Sequence, residues 1–438
     1  MGIVARAAVL PPATGAPDLE VLGSTPPAPD TGYYEQTLDH FSPVDNRTWS
    51  QRYLFSNTSW DGSGELPNGC RGPVLLYTGN EGPIDEFYSG NGFVTEVLAP
   101  ALGAFTLFIE ERYYGESLPF GDSTWNTSSP SYDAANLRYL TTEQVLADYN
   151  VLVQDLKNAT PGMENCPVVA FGGSYGATLS TFFRLAYPNT VIGALAASAP
   201  TGYYDSQAWP QYDVDDFTWS SIVVDTYLSA GGQPCLDAIN SAVAAIGATP
   251  VDQLVAAFNV CNASGLGPTT NADLFTYTLE GYPQLDYPCP VPPLPAKPAT
   301  AACVVLTEAA ANGTNEALIS AAAEVTTWGQ GNPDGSCIQT LPEGPGDVPG
   351  DGPGPGAWGY QSCTQTLHPF SSSTLDGRGL RNFSFVLADE EAVCDQNFNS
   401  TVSPDLEALT RTHGGYTIPA NMMGITNIIW SNGAPKIH

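Results

Sequence analysis

The sequence predicts an α/β protein with a doubly wound, mostly parallel sheet into which a helical segment is inserted. Three observations predict this fold. Between Gly72 and Ser198, short apolar runs of strand length alternate with amphipathic stretches of helical period. From Asp213 to about Trp328 the helical period continues with few strand candidates. An apolar strand then returns near the end, at Asn427 to Ser431. With 438 residues, 42% of them hydrophobic, the chain can bury a full core, either as one large domain with an insertion or as two domains.

The elements follow in order. Residues 1–30, with Pro11, Pro12, Pro17, Pro26, Pro27 and Pro29, form an extended tail. Ile3 to Leu10 is too short and too interrupted by Arg6 for a signal-peptide core, so either the start is truncated or export takes another route. Tyr34 to Phe41 and Thr48 to Tyr53 alternate polar and apolar residues, as half-buried strands do, and a structural part is expected for His40. Gly72 to Thr78 and Phe105 to Ile109 are apolar strands. The second runs into Glu110 to Ser117, whose charges and tyrosines form either the rim of a site or a hydrogen-bonded loop. Thr141 with Gln144 makes a capping box for a helix whose apolar face carries Val145, Leu146, Tyr149, Leu152, Val153 and Leu156. Pro167 to Phe171 is a strand, Ala177 to Tyr187 a helix stopped by Pro188, and Gly193 to Ser198 the next strand. In the insertion, Phe217 to Leu228, Cys235 to Ile246, Val251 to Val260 and Ala317 to Val325 read as helices. Leu341 to Gly356 is a Pro/Gly-rich connection that can form neither helix nor central strand. The expected division is a first sheet part at 31–204, a helical insertion at 205–355 and a second sheet part at 356–438.

Thirteen Lys and Arg against 45 Asp and Glu give a net charge of −32, which argues against nucleic acid and anionic membrane surfaces as partners. No run approaches the roughly 18 apolar residues of a membrane span. Nine cysteines lack any metal-ligand spacing, so disulfides are expected, with at least one thiol left over, and no metal or cofactor is implied. Sequons at Asn46, Asn57, Asn126, Asn158, Asn262, Asn312, Asn382 and Asn399 are candidate glycosylation sites and fit passage through the secretory pathway to a lysosome, a vacuole or the exterior.

The chemistry concentrates at Gly172-Gly173-Ser174-Tyr175-Gly176, a GxSxG elbow between a strand and a helix. Gly172 and Gly176 leave the room that the sharp turn needs, and Ser174 is the candidate nucleophile at a helix N-terminus. The Tyr175 N–H is the first oxyanion donor expected of such an αβ-hydrolase elbow. The loop Gly79-Asn80-Glu81-Gly82, after an early strand, is placed to give the second, or is a plain strand-end turn.

With these residues in view, the chain resembles the family of lysosomal Pro-Xaa carboxypeptidase, dipeptidyl peptidase II and thymus-specific serine peptidase. The resemblance rests on Gln36 to Phe41, Tyr77 to Gly82, Arg112 to Ser117, Gly172 to Gly176 and Trp358 to Thr364. It implies an αβ-hydrolase fold with a helical cap, and exopeptidase cleavage of peptide substrates after proline. Whether the chain acts as a homodimer stays open.

The chain departs from the family's usual pattern at Glu111, where histidine is usual, and at Gln365, where glutamate is usual. Lys436 stands where the catalytic aspartate is expected, and the segment of the catalytic histidine is absent. Surface or packing parts are expected for His368, His413 and His438. The expectation is therefore a serine peptidase whose written chain is incomplete and inactive. The competing readings are an esterase or lipase on the same fold and a non-catalytic secretory glycoprotein that binds peptides.

Overall fold

The computed structural model describes residues 28–121, 129–204, 215–261, 268–331, 335–338, 356–398, 402–414 and 427–431. These divide into two compact units. The first holds 28–121, 143–197 and 427–429; the second holds 129–142, 198–414 and 430–431, each within the ranges just given.

The first unit is built on a sheet of seven strands: β1 (Asp30–Thr37), β2 (Thr48–Ser56), β3 (Val74–Tyr77), β4 (Phe105–Ile109), β5 (Val168–Gly173), β6 (Gly193–Ala197) and β7 (Ile428–Ser431). Their spatial order is β1-β2-β4-β3-β5-β6-β7. β3 pairs parallel with β4 and β5, and β5 parallel with β6. The β1–β2 hairpin joins β4 antiparallel at one side. On the other side, Ala194 N donates to Asn427 O at 2.8 Å and Ser198 N to Ser431 O at 2.6 Å, an offset that places β7 beside β6. Ile429 and Trp430 on β7 are exposed.

The strands follow from composition. β3 and β4 are buried along their whole length, which suits continuous apolar runs covered on both faces. The crossover from β4 to β5 carries the helix Thr142–Ala159, and that from β5 to β6 the helix Tyr175–Ala186. Gln144 uses its amide on neighbouring chain: Oε1 accepts from His40 N at 3.0 Å and Nε2 donates to Asp39 Oδ1 at 2.7 Å. The chain leaves β3 toward β4 and leaves β5 toward β6, in opposite directions across the sheet. Such a reversal opens a crevice beyond the carboxyl ends of β3 and β5, where ligands of open α/β sheets bind.

The second unit is helical. Its elements include Thr218–Gly247, Val251–Phe258, Pro268–Gly281, Pro298–Asn312 and Asn315–Gln330. The first is two helices meeting at Gly232, whose φ of 66° and following Pro234 break the hydrogen-bond ladder. Tyr227, Ile239, Ile246, Phe258, Phe275 and Leu306 belong to the core of this unit. No helix among the described residues is long and apolar enough to cross a membrane.

Four disulfides form: Cys70–Cys166 in the first unit, and Cys235–Cys303, Cys261–Cys337 and Cys363–Cys394 in the second. Cys289 is the remaining thiol and is exposed. Residues 356–414 differ from the expected division, because they pack with the helices and not with the sheet. The physical reason is polar. Ser371 N donates to Asp216 O at 2.7 Å, Ser220 Oγ to Ser371 O at 2.6 Å, and Arg381 pairs with Glu280 at 2.8 Å.

Candidate active site

Ser174 follows β5 with φ 54° and ψ −124°, a positive-φ conformation that costs a residue with a Cβ on the order of 1–3 kcal/mol and persists only where its surroundings enforce it. They do so from both sides. Ser174 N donates to Ala197 O at 2.9 Å, while Ser174 O accepts from Ala177 N at 3.0 Å and Thr178 N at 3.2 Å. Tyr175, Gly176 and Ala177 are buried, yet Ser174 is exposed. The two flanking glycines have no room for a side chain. A Cβ on Gly172 would lie 2.1 Å from Gly176 O, and one on Gly176 would lie 2.3 Å from Gly79 O. The spacing read from the sequence thus has a steric cause.

The loop Gly79–Gly82 lies against this elbow. Tyr77 is in register with Phe171 on the adjacent strand, and Thr78 N donates to Phe171 O at 3.0 Å. Thr78 Oγ1 donates to Gly176 O at 2.7 Å and Asn80 Nδ2 to Gly173 O at 2.9 Å. Asn80 is itself oriented by Tyr77, whose hydroxyl donates to Asn80 Oδ1 at 2.6 Å. Tyr149 Oη donates to Thr78 O at 2.5 Å. Gly82 N is spent inside the loop on Asn80 O at 2.8 Å. Burial raises the carboxyl pKa of Glu81, partly opposed by its hydrogen bond from Asn80 Nδ2 at 3.1 Å. Thr78 and Tyr149 had no assigned part in the sequence reading. A polar residue closing an apolar strand and a tyrosine on an apolar helix face were the signals available.

Glu110 to Ser117 is a hydrogen-bonded loop. Glu110 is fully buried, accepts from Ile84 N at 3.1 Å, Glu116 N at 2.9 Å and Ser117 Oγ at 2.7 Å, and is raised in pKa by burial. Glu111 Oε1 accepts from Tyr175 Oη at 2.9 Å. Arg112 is clamped by Asp148, which also meets His40 Nε2 at 2.8 Å, so His40 has the structural place expected of it.

The other histidines lie in the helical unit or beyond the described residues. His413 Nε2 meets Thr142 Oγ1 at 2.9 Å. His368 sits among Tyr204, Trp358 and Phe370, with ring centroids at 4.9, 6.0 and 5.5 Å. Burial pushes its imidazole down to about 4 from 6.5, partly offset by a hydrogen bond with the Thr366 backbone. The folded protein therefore holds this ring neutral. Its contribution to stability is complete above about pH 6.5 and is lost as pH falls toward 4, by about 2 kcal/mol for a ring that is partly exposed. Thermal melts between pH 7 and pH 4 are expected to show a shallower acid slope for His368→Phe than for the parent. Equal slopes would contradict the assignment.

Lys436, His438, Asn126, Asn262 and Asn399 lie outside the described residues. The sequon residues Asn46, Asn57, Asn158, Asn312 and Asn382 are all exposed. Among the described residues no side chain hydrogen-bonds the Ser174 hydroxyl.

Residues 36–435 match the family model described as serine carboxypeptidase S28. The chain is 32% identical over 416 residues to lysosomal Pro-X carboxypeptidase of Pongo abelii, an alignment covering 92% of this chain and 76% of that one. The Homo sapiens protein of the same name gives the same identity and coverage. Thymus-specific serine protease of Mus musculus is 34% identical over 227 residues, 50% of this chain and 39% of that one.

Proposed function

The chain belongs to the serine carboxypeptidase S28 family and is a serine peptidase, and on that premise we propose that Ser174 is its nucleophile and that it cleaves peptides on the carboxyl side of proline. The single observation that supports the nucleophile reading is the exposed, positive-φ Ser174 wedged between two glycines and braced by the Gly79–Gly82 loop. In this reading Ser174 Oγ adds to the scissile carbonyl carbon. The hydroxyl proton passes to a base, the carbonyl oxygen takes the negative charge, the C–N bond breaks as the departing amine takes up that proton, and water then hydrolyses the acyl ester to the free acid and restores the Ser174 hydroxyl. The Tyr175 N–H and an N–H of Gly79 or Asn80 stabilise that oxygen; Gly82 is left out because its N–H already serves Asn80 O. Removal of the Ser174 proton is assigned to none of the described histidines, since His40 serves Asp148, His413 serves Thr142 and His368 stands in its aromatic cluster. Disulfides and exposed sequons support a route through an oxidising secretory compartment to a lysosome-like or extracellular destination.

The test pairs chemistry with mapping. The protein is treated with a fluorophosphonate, digested and analysed by mass spectrometry, and separately offered Pro-Xaa peptides beside short acyl esters. An adduct on the peptide containing Ser174, with any cleavage after proline exceeding ester hydrolysis, supports this reading. An adduct on another residue would remove the nucleophile assignment, and faster ester hydrolysis would move the activity to an esterase.

A further inference from the structure

We infer that Glu111 is a positioning residue for the oxyanion site: its carboxylate anchors the Tyr175 side chain, and through it the Tyr175 N–H. The inference rests on the nucleophile reading above. Glu111 and Tyr175 are both almost wholly buried, and the hydrogen bond from Tyr175 Oη to Glu111 Oε1 is 2.9 Å long. Tyr175 is the first residue of the helix Tyr175–Ala186 and follows the positive-φ Ser174 directly. A strained turn of this kind relaxes unless both neighbours are held. The side chain of Tyr175, tied to the end of β4, supplies one such hold.

Glu111 also borders the other donor segment. A Cβ built on Gly79 would lie 3.4 Å from Glu111 N and 3.0 Å from Tyr149 Oη, so the Glu111 backbone packs directly on the start of the Gly79–Gly82 loop. One residue therefore touches both walls of the proposed oxyanion site, by its side chain on one and its backbone on the other. A carboxylate oxygen placed inside a core is costly unless it is hydrogen-bonded, and here the phenol of Tyr175 serves Glu111 Oε1. Burial and the Glu111 charge hold the Tyr175 phenol well above its ordinary pKa, so it is a donor at neutral pH.

The test uses the full chain with Glu111→Leu, Glu111→Gln and Tyr175→Phe, and follows covalent labelling by a fluorophosphonate as a function of its concentration. The saturating rate reports the oxyanion geometry, and the half-saturating concentration reports ground-state binding. Glu111→Leu and Tyr175→Phe are expected to lower the saturating rate about 10- to 100-fold, the scale of a misplaced oxyanion donor. The half-saturating concentration should stay within about 3-fold, because the lost interaction acts in the transition state. Glu111→Gln keeps an acceptor for the phenol and should restore the rate to within about 3-fold of the parent. A parent-like rate in Tyr175→Phe, or a Glu111→Gln as slow as Glu111→Leu, overturns the inference. Should Glu111→Leu fail to fold, as judged by circular dichroism, Tyr175→Phe decides alone. Ser174→Ala separates the two readings. If it labels as fast as the parent, the nucleophile assignment falls and takes this inference with it; if it does not label while Tyr175→Phe labels at the parent rate, only the inference falls.

Discussion

Gly172→Ala is expected to abolish labelling of Ser174 and to cost the sheet unit at least about 4 kcal/mol, the range reserved for clashes that no rotamer relieves. The new Cβ would lie 2.1 Å from Gly176 O, 2.2 Å from Gly176 C and 2.6 Å from Ala177 N. All three are backbone atoms in the first turn of a buried helix, packed at close to crystal density, so the turn itself must move. Gly176 O is also the acceptor for Thr78 Oγ1, and the same shift therefore pulls at the Gly79–Gly82 loop. A displacement of about 1 Å at a reacting group lowers rate on the order of 100-fold. Gly173→Ala is the matched control one residue on. Its Cβ would meet only Tyr77 Oη, at 3.8 Å, an ordinary contact, and its φ is not positive. That variant should stay within about 1 kcal/mol of the parent and keep its labelling. Denaturant titration and fluorophosphonate labelling of the two variants check this; equal behaviour of the pair would refute the steric account of the elbow.

The elbow was legible in the sequence because part of its cause is local. A Cβ on Gly172 would meet Gly176, four residues on, so spacing encodes that demand; the demand at Gly176 comes instead from Gly79 O and Asn80 and is not local. The same holds for β3, β4, β5 and β6, whose continuous apolar runs have no other stable place than a sheet covered on both faces. The helices of the insertion were legible by period, although the two halves that meet at Gly232 run on with little break.

What the sequence did not reveal depends on residues far apart. Glu111 meets Tyr175 across 64 positions, and Tyr149 meets Thr78 across 71. A tyrosine on an apolar helix face looks like core whether or not its hydroxyl finds a carbonyl. The membership of residues 356–414 was likewise hidden. Short helices such as Ala357–Thr364 carry no mark of which unit they join, and the decision falls to the pairs Ser371 with Asp216 and Arg381 with Glu280. Cysteine pairing was open for the same reason.

Asp148→Ala is expected to destabilise the sheet unit by about 3–5 kcal/mol, the cost of leaving a buried charge without its partner. The stranded charge is Arg112, which is fully buried. Asp148 meets it through two parallel bonds, from Nε to Oδ2 and from Nη2 to Oδ1, each 2.7 Å. With the carboxylate gone, the guanidinium keeps Leu38 O at 2.9 Å, Thr37 O at 3.4 Å and the face of Trp49 at 5.5 Å, all neutral groups. The loss reaches further than one pair. His40 Nε2 gives up its 2.8 Å contact, so the segment after β1 loses a tie to the helix Thr142–Ala159, retaining Gln144 on Asp39 and His40. The pair itself is not expected to contribute much net stability, because desolvating both ions offsets most of their attraction. The double variant Asp148→Leu with Arg112→Met should therefore be markedly more stable than Asp148→Ala alone. Equilibrium denaturation of the parent, Asp148→Leu, Arg112→Met and the double variant reads this as a coupling energy. A double variant no more stable than Asp148→Ala would show that the carboxylate serves the fold through His40, and not by neutralising Arg112.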